Sequence, residues 1–193
     1  MNLLHIDSSI QGDNSASRQL GQEIVARWRE AVPGLRVKYR DLAADALPHF
    51  SARSLMRSDQ EEAAADARAL ADFQAADVIV IGAPMYNFGI PSQLKAWIDR
   101  IVVAGQTFRY TASGPEGLAK GKRVIVAISR GGVYAPGAPG EFAESYLKFV
   151  LGFIGIQDIT FVRAEGLAVS AERREKSIQV ARAAIAAPEA MAA

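Results

Sequence analysis

Asp77-Val78-Ile79-Val80-Ile81-Gly82 places four β-branched residues in a row between an acid and a glycine, and its reading decides the fold. A strand with one wet face alternates apolar and polar side chains. An unbroken apolar run needs cover on both faces, as in the centre of a mostly parallel sheet. Arg123 to Ser129 repeats the pattern, being continuously apolar from Val124 to Ile128. Leu3 to Asp7 supplies a strand at the amino end. Leu35, Val37 and Tyr39 alternate with Arg36, Lys38 and Arg40, so that strand has one wet face and belongs at the sheet edge. Residues 158–163 form the last strand.

Helix-period segments separate these strands. The first is capped near Asn14 or Ser15, buries Leu20, Ile24, Val25 and Trp28, and ends at Pro33-Gly34. A second spans about 60–75, and a third buries Leu94, Trp97, Ile98, Ile101 and Val102. The fourth, about 141–152, carries Phe142, Tyr146, Phe149 and Val150 on one stripe; the fifth is capped by Ser170 and reaches about residue 187. Residues 43–59 lack a period and read as a long irregular loop or a short broken helix, a candidate lid or interface. Residues 107–122 read as a second long connection, and the alanine-rich end after Pro188 as a frayed terminus. Strand and helix alternation predicts an α/β three-layer sandwich with a five-stranded parallel sheet in the flavodoxin-like order 2-1-3-4-5, folded as one domain over residues 1–193.

Composition agrees and excludes several classes. Half the residues are hydrophobic and 22% are charged, and a chain of 193 residues buries about 70% of its extended surface, so a core forms without staples. The absence of cysteine removes disulfides, thiolate metal sites, Fe–S clusters and cysteine nucleophiles, and fits a reducing compartment. Twenty-two basic against 21 acidic residues, scattered along the chain, give no pull toward nucleic acid. The amino terminus lacks a basic region and a clean apolar run, and Gly82, Pro84, Gly89 and Pro91 interrupt the one long uncharged stretch. The expectation is a cytoplasmic protein without a membrane span.

In a sheet of this order ligands bind beyond the carboxyl ends of the strands, where the strand order reverses. The loops after Asp7, Gly82 and Ser129 are therefore where function is sought. The first carries Ser8, Ser9, Ser15 and Ser17 into the start of a helix, where hydroxyls, free N–H groups and the helix dipole suit a phosphate monoester. Any one of these serines could be an ordinary cap; four hydroxyls at the switch point favour the anion site. The second, Pro84-Met85-Tyr86-Asn87-Phe88-Gly89, is an uncharged aromatic wall suited to a planar heteroaromatic ring, although a plain hydrophobic turn reads similarly. The third, Ser129-Arg130-Gly131-Gly132, lets backbone approach a ligand and offers a cation for developing negative charge. Taken alone it reads as a Gly-Gly turn with Arg130 in solvent.

Together these runs resemble the FMN-dependent NADH:quinone and azo-compound oxidoreductases, the bacterial azoreductase family, over nearly the whole chain. The resemblance implies an isoalloxazine site at Pro84, Met85, Tyr86, Asn87, Phe88, Ser129, Arg130, Gly131 and Gly132. It implies a phosphate and ribityl site at Ser9, Ser15, Ala16 (through its backbone N–H) and Ser17. Phe108-Arg109-Tyr110-Thr111 resembles the segment that brings an aromatic ring near the flavin, which makes Tyr110 and Phe153 candidate pocket residues. The implied reaction is ping-pong: hydride passes from NADH or NADPH to FMN, then two electrons reduce a quinone or azo compound. Backbone N–H groups around Asn87 and Gly131-Gly132 would steady the negative charge, Arg130 would assist electrostatically, and no side-chain nucleophile is expected. The resemblance also implies a homodimer. Covering residues are available at Trp97, Ile101 and Val102, at Phe149 and Phe153, and in the 43–59 loop.

Competing readings are weaker. A flavodoxin-like electron carrier without enzyme activity would call for strong acidity to steer partners, against a net charge of +1. A flavin-free interaction domain leaves the three loops unexplained. The near-elbow at Ser129 lacks the downstream histidine that a hydrolase needs, since only His5 and His49 exist, the first read as strand packing. Gly117 to Arg123 departs from a P-loop in spacing and position.

Overall fold

The structure is a computed structural model that describes residues 1–135 and 137–188. Its sheet runs in the order β2-β1-β3-β6-β7, formed by β1 (Asn2–Asp7), β2 (Arg36–Asp41), β3 (Val78–Pro84), β6 (Arg123–Ser129) and β7 (Asp158–Ala164). All four pairings are parallel. Numbered among these five strands alone, the order is the expected 2-1-3-4-5. Helices α1 (Ala16–Ala31) and α6 (Ala171–Ala183) cover one face; α3 (Gln60–Ala75), α4 (Ser92–Ile101) and α5 (Ala143–Phe153) cover the other. A short α2 (Ala52–Met56) interrupts the long loop after β2.

The unbroken run in β3 becomes two layers because successive side chains point to opposite faces. Val78 and Val80 join Leu3, Leu20, Ile24 and Trp28 under α1 and α6. Ile79 and Ile81 join Ile6, Phe73, Leu94 and Trp97 beneath the other three helices. Each such fully buried side chain contributes about 1.5–3 kcal/mol. β2 is partly exposed along its length, as its alternation with basic residues requires at an edge.

Several expectations need correction. The 107–122 connection contains an antiparallel hairpin, β4 (Phe108–Thr111) and β5 (Gly114–Gly117). Gly-Pro-Glu-Gly has no strand former in it, so the second strand exists through its partner and through backbone contact with Gly155. A Cβ on Gly117 would lie 2.2 Å from the Gly155 nitrogen. α5 begins at Ala143, and the Glu141 carboxylate accepts from the Glu144 and Ser145 N–H groups, which caps the helix from outside. Its buried face is Ala143, Glu144, Leu147 and Leu151; Phe142 and Phe149 of the expected stripe point to solvent, 63% and 75% exposed. α6 stops at Ala183, and the alanine-rich end beyond residue 188 lies outside the described residues. No helix among the described residues is long and apolar enough to cross a membrane.

Candidate functional site

The carboxyl ends of β1, β3 and β6 converge where the strand order reverses, and hydrogen bonds join their loops. The Ser8 hydroxyl donates to the Gly82 carbonyl at 2.7 Å, and the Met85 N–H donates to the Ser129 carbonyl at 2.8 Å. The Ser9 and Tyr86 hydroxyls lie 3.1 Å apart, with the Ile10 N–H 3.2 Å from the same tyrosine oxygen. Tyr86, expected as part of the aromatic wall, therefore carries its hydroxyl to the first loop.

At the start of α1 the Ser15 and Ser17 hydroxyls are 3.0 Å apart, and Ser15 caps the helix by accepting from the Arg18 N–H. The N–H groups of Ala16 and Ser17 fall in the first turn, where a helix offers no internal acceptor. Two hydroxyls plus unpaired helix-start donors form an anion-binding set, and a phosphate monoester fits it. In the second loop Tyr86 and Gly89 exchange backbone hydrogen bonds of 3.0 Å across a two-residue turn, with Asn87 and Phe88 at φ of 47° and 71°. Asparagine tolerates that left-handed region; phenylalanine does so only at a cost of about 1–3 kcal/mol, a strain typical of ligand sites. The strained turn holds the Phe88 ring 56% exposed, against Gly140.

The third loop is tethered by a segment that gave no sequence signal. The carbonyls of Arg130, Gly131 and Gly132 accept from the N–H groups of Leu167, Ala168 and Gly166 at 2.8–3.1 Å. Because each peptide is trans, the N–H groups of Gly131, Gly132 and Val133 point away from that segment, leaving a row of donors. Arg130 is not in solvent. Its side chain is 2% exposed and its guanidinium lies 2.7–3.0 Å from Glu141, Glu144 and Glu165. Glu144 also receives Arg163 and Lys148; burial works to raise its pKa, and these cationic donors overcome it and lower the pKa to about 2.

Beneath the first loop lies a second, partly buried network that the sequence reading missed. Asp7, fully buried, accepts from the Tyr39 hydroxyl at 3.0 Å. Arg18 donates to Tyr39 at 3.1 Å, to Asp41 at 2.7 Å and to the Ser9 carbonyl at 2.8 and 3.3 Å. Burial, with Asp7 beside it, pushes Tyr39 up to about 12, and the Arg18 hydrogen bond holds Asp41 below the usual carboxylate range. The available signal was an acid closing an apolar strand and an arginine three residues past the cap.

Tyr110 and Phe153 come together, but elsewhere. Phe108 bridges them, its ring centroid 5.5 Å from Tyr110 and 4.7 Å from Phe153. The hairpin leads into the start of β6, and Phe153 ends the helix that leads toward the start of β7. In a parallel sheet this is the edge opposite the three loops. Cavities of about 620 Å³ (around Gly117, Lys120 and Gly155) and 630 Å³ (around Arg40, Asp45 and Asp59) also lie away from the loops.

A doubly wound sheet with a hydroxyl-lined helix start and an uncharged turn at its switch point is the architecture of mononucleotide-binding proteins. A family model described as a flavodoxin-like fold matches residues 1–187. The chain belongs to this flavodoxin-like family. It is 53% identical over 193 residues to an FMN-dependent NADH:quinone oxidoreductase of Stenotrophomonas maltophilia, covering 100% of this chain and 98% of the other. It is 55% identical over 192 residues to FMN-dependent NADH:quinone oxidoreductase 1 of Xanthomonas axonopodis pv. citri, covering 100% and 99%. Among solved structures it resembles an FMN-dependent NADH-azoreductase from Bacillus anthracis in complex with FMN, with TM-score 0.84, 28% identity and 96% and 98% of the two chains covered.

Proposed function

We propose that the protein is an FMN-dependent NADH:quinone and azo-compound oxidoreductase that works as a homodimer in the cytoplasm, each 1–193 chain forming one FMN-binding domain. The observation that carries the reading is the joining of three loops, one hydroxyl-lined, one uncharged and strained, one rich in backbone donors, at the switch point of a chain more than half identical to such oxidoreductases from end to end. A non-enzymatic electron carrier finds no support in those relatives or in a net charge of +1.

FMN, when bound, supplies the two-electron relay between nicotinamide and acceptor. The chain's part is to bind, orient and exclude water. Ser15, Ser17 and the N–H groups of Ala16 and Ser17 would hold the phosphate; Ser9 and Tyr86 would meet the ribityl chain. Pro84, Met85, Asn87 and Phe88 would form the wall for the ring, and the N–H groups of Gly131 and Gly132 would meet its polar edge beside Ser129. Arg130, neutralised by three carboxylates, serves by fixing this third loop rather than by lending its charge to the ring. NADH, as in the relatives' names, is the proposed donor, and NADPH a further candidate.

The site in one chain is open, and two observations support cover by a second copy. Phe142, just before α5, and Phe149 on it are exposed, and the partly buried Phe153 follows on the same side, an apolar stripe of the kind that marks an interface. Tyr110 and Phe153 stand at the opposite end of the strands from their own chain's loops, so as pocket residues they would serve a neighbouring chain's site. Trp97 and Ile101 are excluded as covering residues, because both are buried in their own core. Sedimentation equilibrium tests the dimer: a fully active species of 20.7 kDa would refute it. For the activity, the purified protein should show a flavin spectrum that NADH bleaches without oxygen and a benzoquinone restores. A colourless protein, or bleaching with no effect of quinone, would overturn the reading.

A further inference from the structure

We propose that Arg18 is a positioning residue for the flavin phosphate, which it selects for without touching it. The inference rests on the FMN reading above and concerns a side chain outside the expected site. Arg18 is 8% exposed and stands one residue beyond Ser17 in the first turn of α1. Its Nε and Nη2 both donate to the Ser9 carbonyl, at 3.3 and 2.8 Å. The carbonyl of Ser9 and the N–H of Ile10 belong to one trans peptide and point in opposite directions. Pulling the carbonyl inward therefore aims the Ile10 N–H outward, where it meets the Tyr86 hydroxyl at the mouth of the site. One fork thus sets a backbone donor and ties the Ser9 loop to the helix start that bears Ser15 and Ser17.

Charge adds a second effect. Asp7 and Asp41 put two carboxylates beneath a site for a phosphate dianion. Asp7 Oδ2 is held by Tyr39 at 3.0 Å and lies 3.6 Å from Arg18; its Oδ1, 3.6 Å from His5 Nε2, has no hydrogen-bond partner among the described residues. Arg18 is thus the cation that balances this buried acid as well as Asp41. Without it the site keeps its serines but gains unbalanced negative charge, which repels a phosphate and is indifferent to an uncharged ligand.

FMN and riboflavin differ in that phosphate alone, so their relative affinity reads the effect directly. Apoprotein of the wild type, R18Q, R18K and R18Q/D41N is titrated with each flavin by fluorescence quenching, with thermal melting to compare folding. In R18Q the preference for FMN over riboflavin should fall on the order of tenfold, from the uncovered charge of Asp7 and Asp41, while riboflavin, which shares only the ribityl contacts of Ser9 and Tyr86, loses no more than a few-fold. R18K, which keeps the charge but not the fork, should lie between wild type and R18Q; R18Q/D41N should regain part of the preference. Should R18Q not fold, R18K decides the matter by a several-fold loss of preference. If R18Q or R18K keeps the wild-type preference, or loses both flavins in parallel, the proposal is overturned. A wild-type protein that binds neither flavin, or both alike, overturns the FMN reading as well.

Discussion

Replacing Arg130 with methionine removes a guanidinium that is 2% exposed and leaves Glu141, Glu144 and Glu165 facing a space of similar volume without a charge. Three hydrogen bonds to charged groups at about 1.5–3 kcal/mol each would suggest a loss of about 4.5–9 kcal/mol. That sum is too large, since Glu144 keeps Arg163 and Lys148, and Glu141 keeps the two N–H groups of its helix cap. The expected cost is about 3 kcal/mol, the low end of what breaking a buried ion pair exacts. Urea unfolding of the apoprotein at pH 7, followed through the emission of buried Trp28 and Trp97, measures it free of any stabilisation by flavin. FMN affinity should fall too, because the loop carrying the Gly131 and Gly132 donors loses its anchor. An unfolding free energy within about 0.5 kcal/mol of wild type, accompanied by a tenfold loss of turnover with FMN still bound, would refute this reasoning and return the arginine to a direct charge role.

Acid should unfold the protein partly through Glu144. Its folded pKa of about 2 lies below the ordinary 4.5, so it contributes stability above pH 4.5 that is lost as pH falls toward 2, at most about 3 kcal/mol; E144Q should flatten that part of a pH-stability curve. Gly117→Ala drives a methyl into the backbone at Ile154 and Gly155 and should destabilise by more than 2 kcal/mol in the same urea assay, while a neutral result would mean the hairpin moves freely. Replacing Ser15 and Ser17 together with alanine should weaken FMN binding by about 2–3 kcal/mol, roughly 30- to 150-fold, by fluorescence titration; unchanged affinity would remove both from the phosphate site.

The sheet, its order and the three loops that meet at the reversal of strand order were legible in the sequence because they follow from local patterns. Two unbroken apolar runs specify buried strands, a basic alternation specifies an edge, and helical spacing of Leu20, Ile24 and Trp28 specifies which face of α1 is covered. The residue types after Asp7, Gly82 and Ser129 also marked the three loops, since glycine, proline and serine at strand ends carry their meaning in their own backbone preferences. Partnership between distant residues was not legible. Arg130 looked like a free cation because its acids lie 11, 14 and 35 positions away, and only the packing of α5 and β7 beside β6 brings them within 3.0 Å. Likewise Gly114–Gly117 has no strand propensity and becomes a strand through Phe108–Thr111 and the close approach of Gly155. The outward turn of Phe142 and Phe149 belongs to the same class, since a helical stripe shows which residues share a face and the tertiary fold decides whether that face meets core or water.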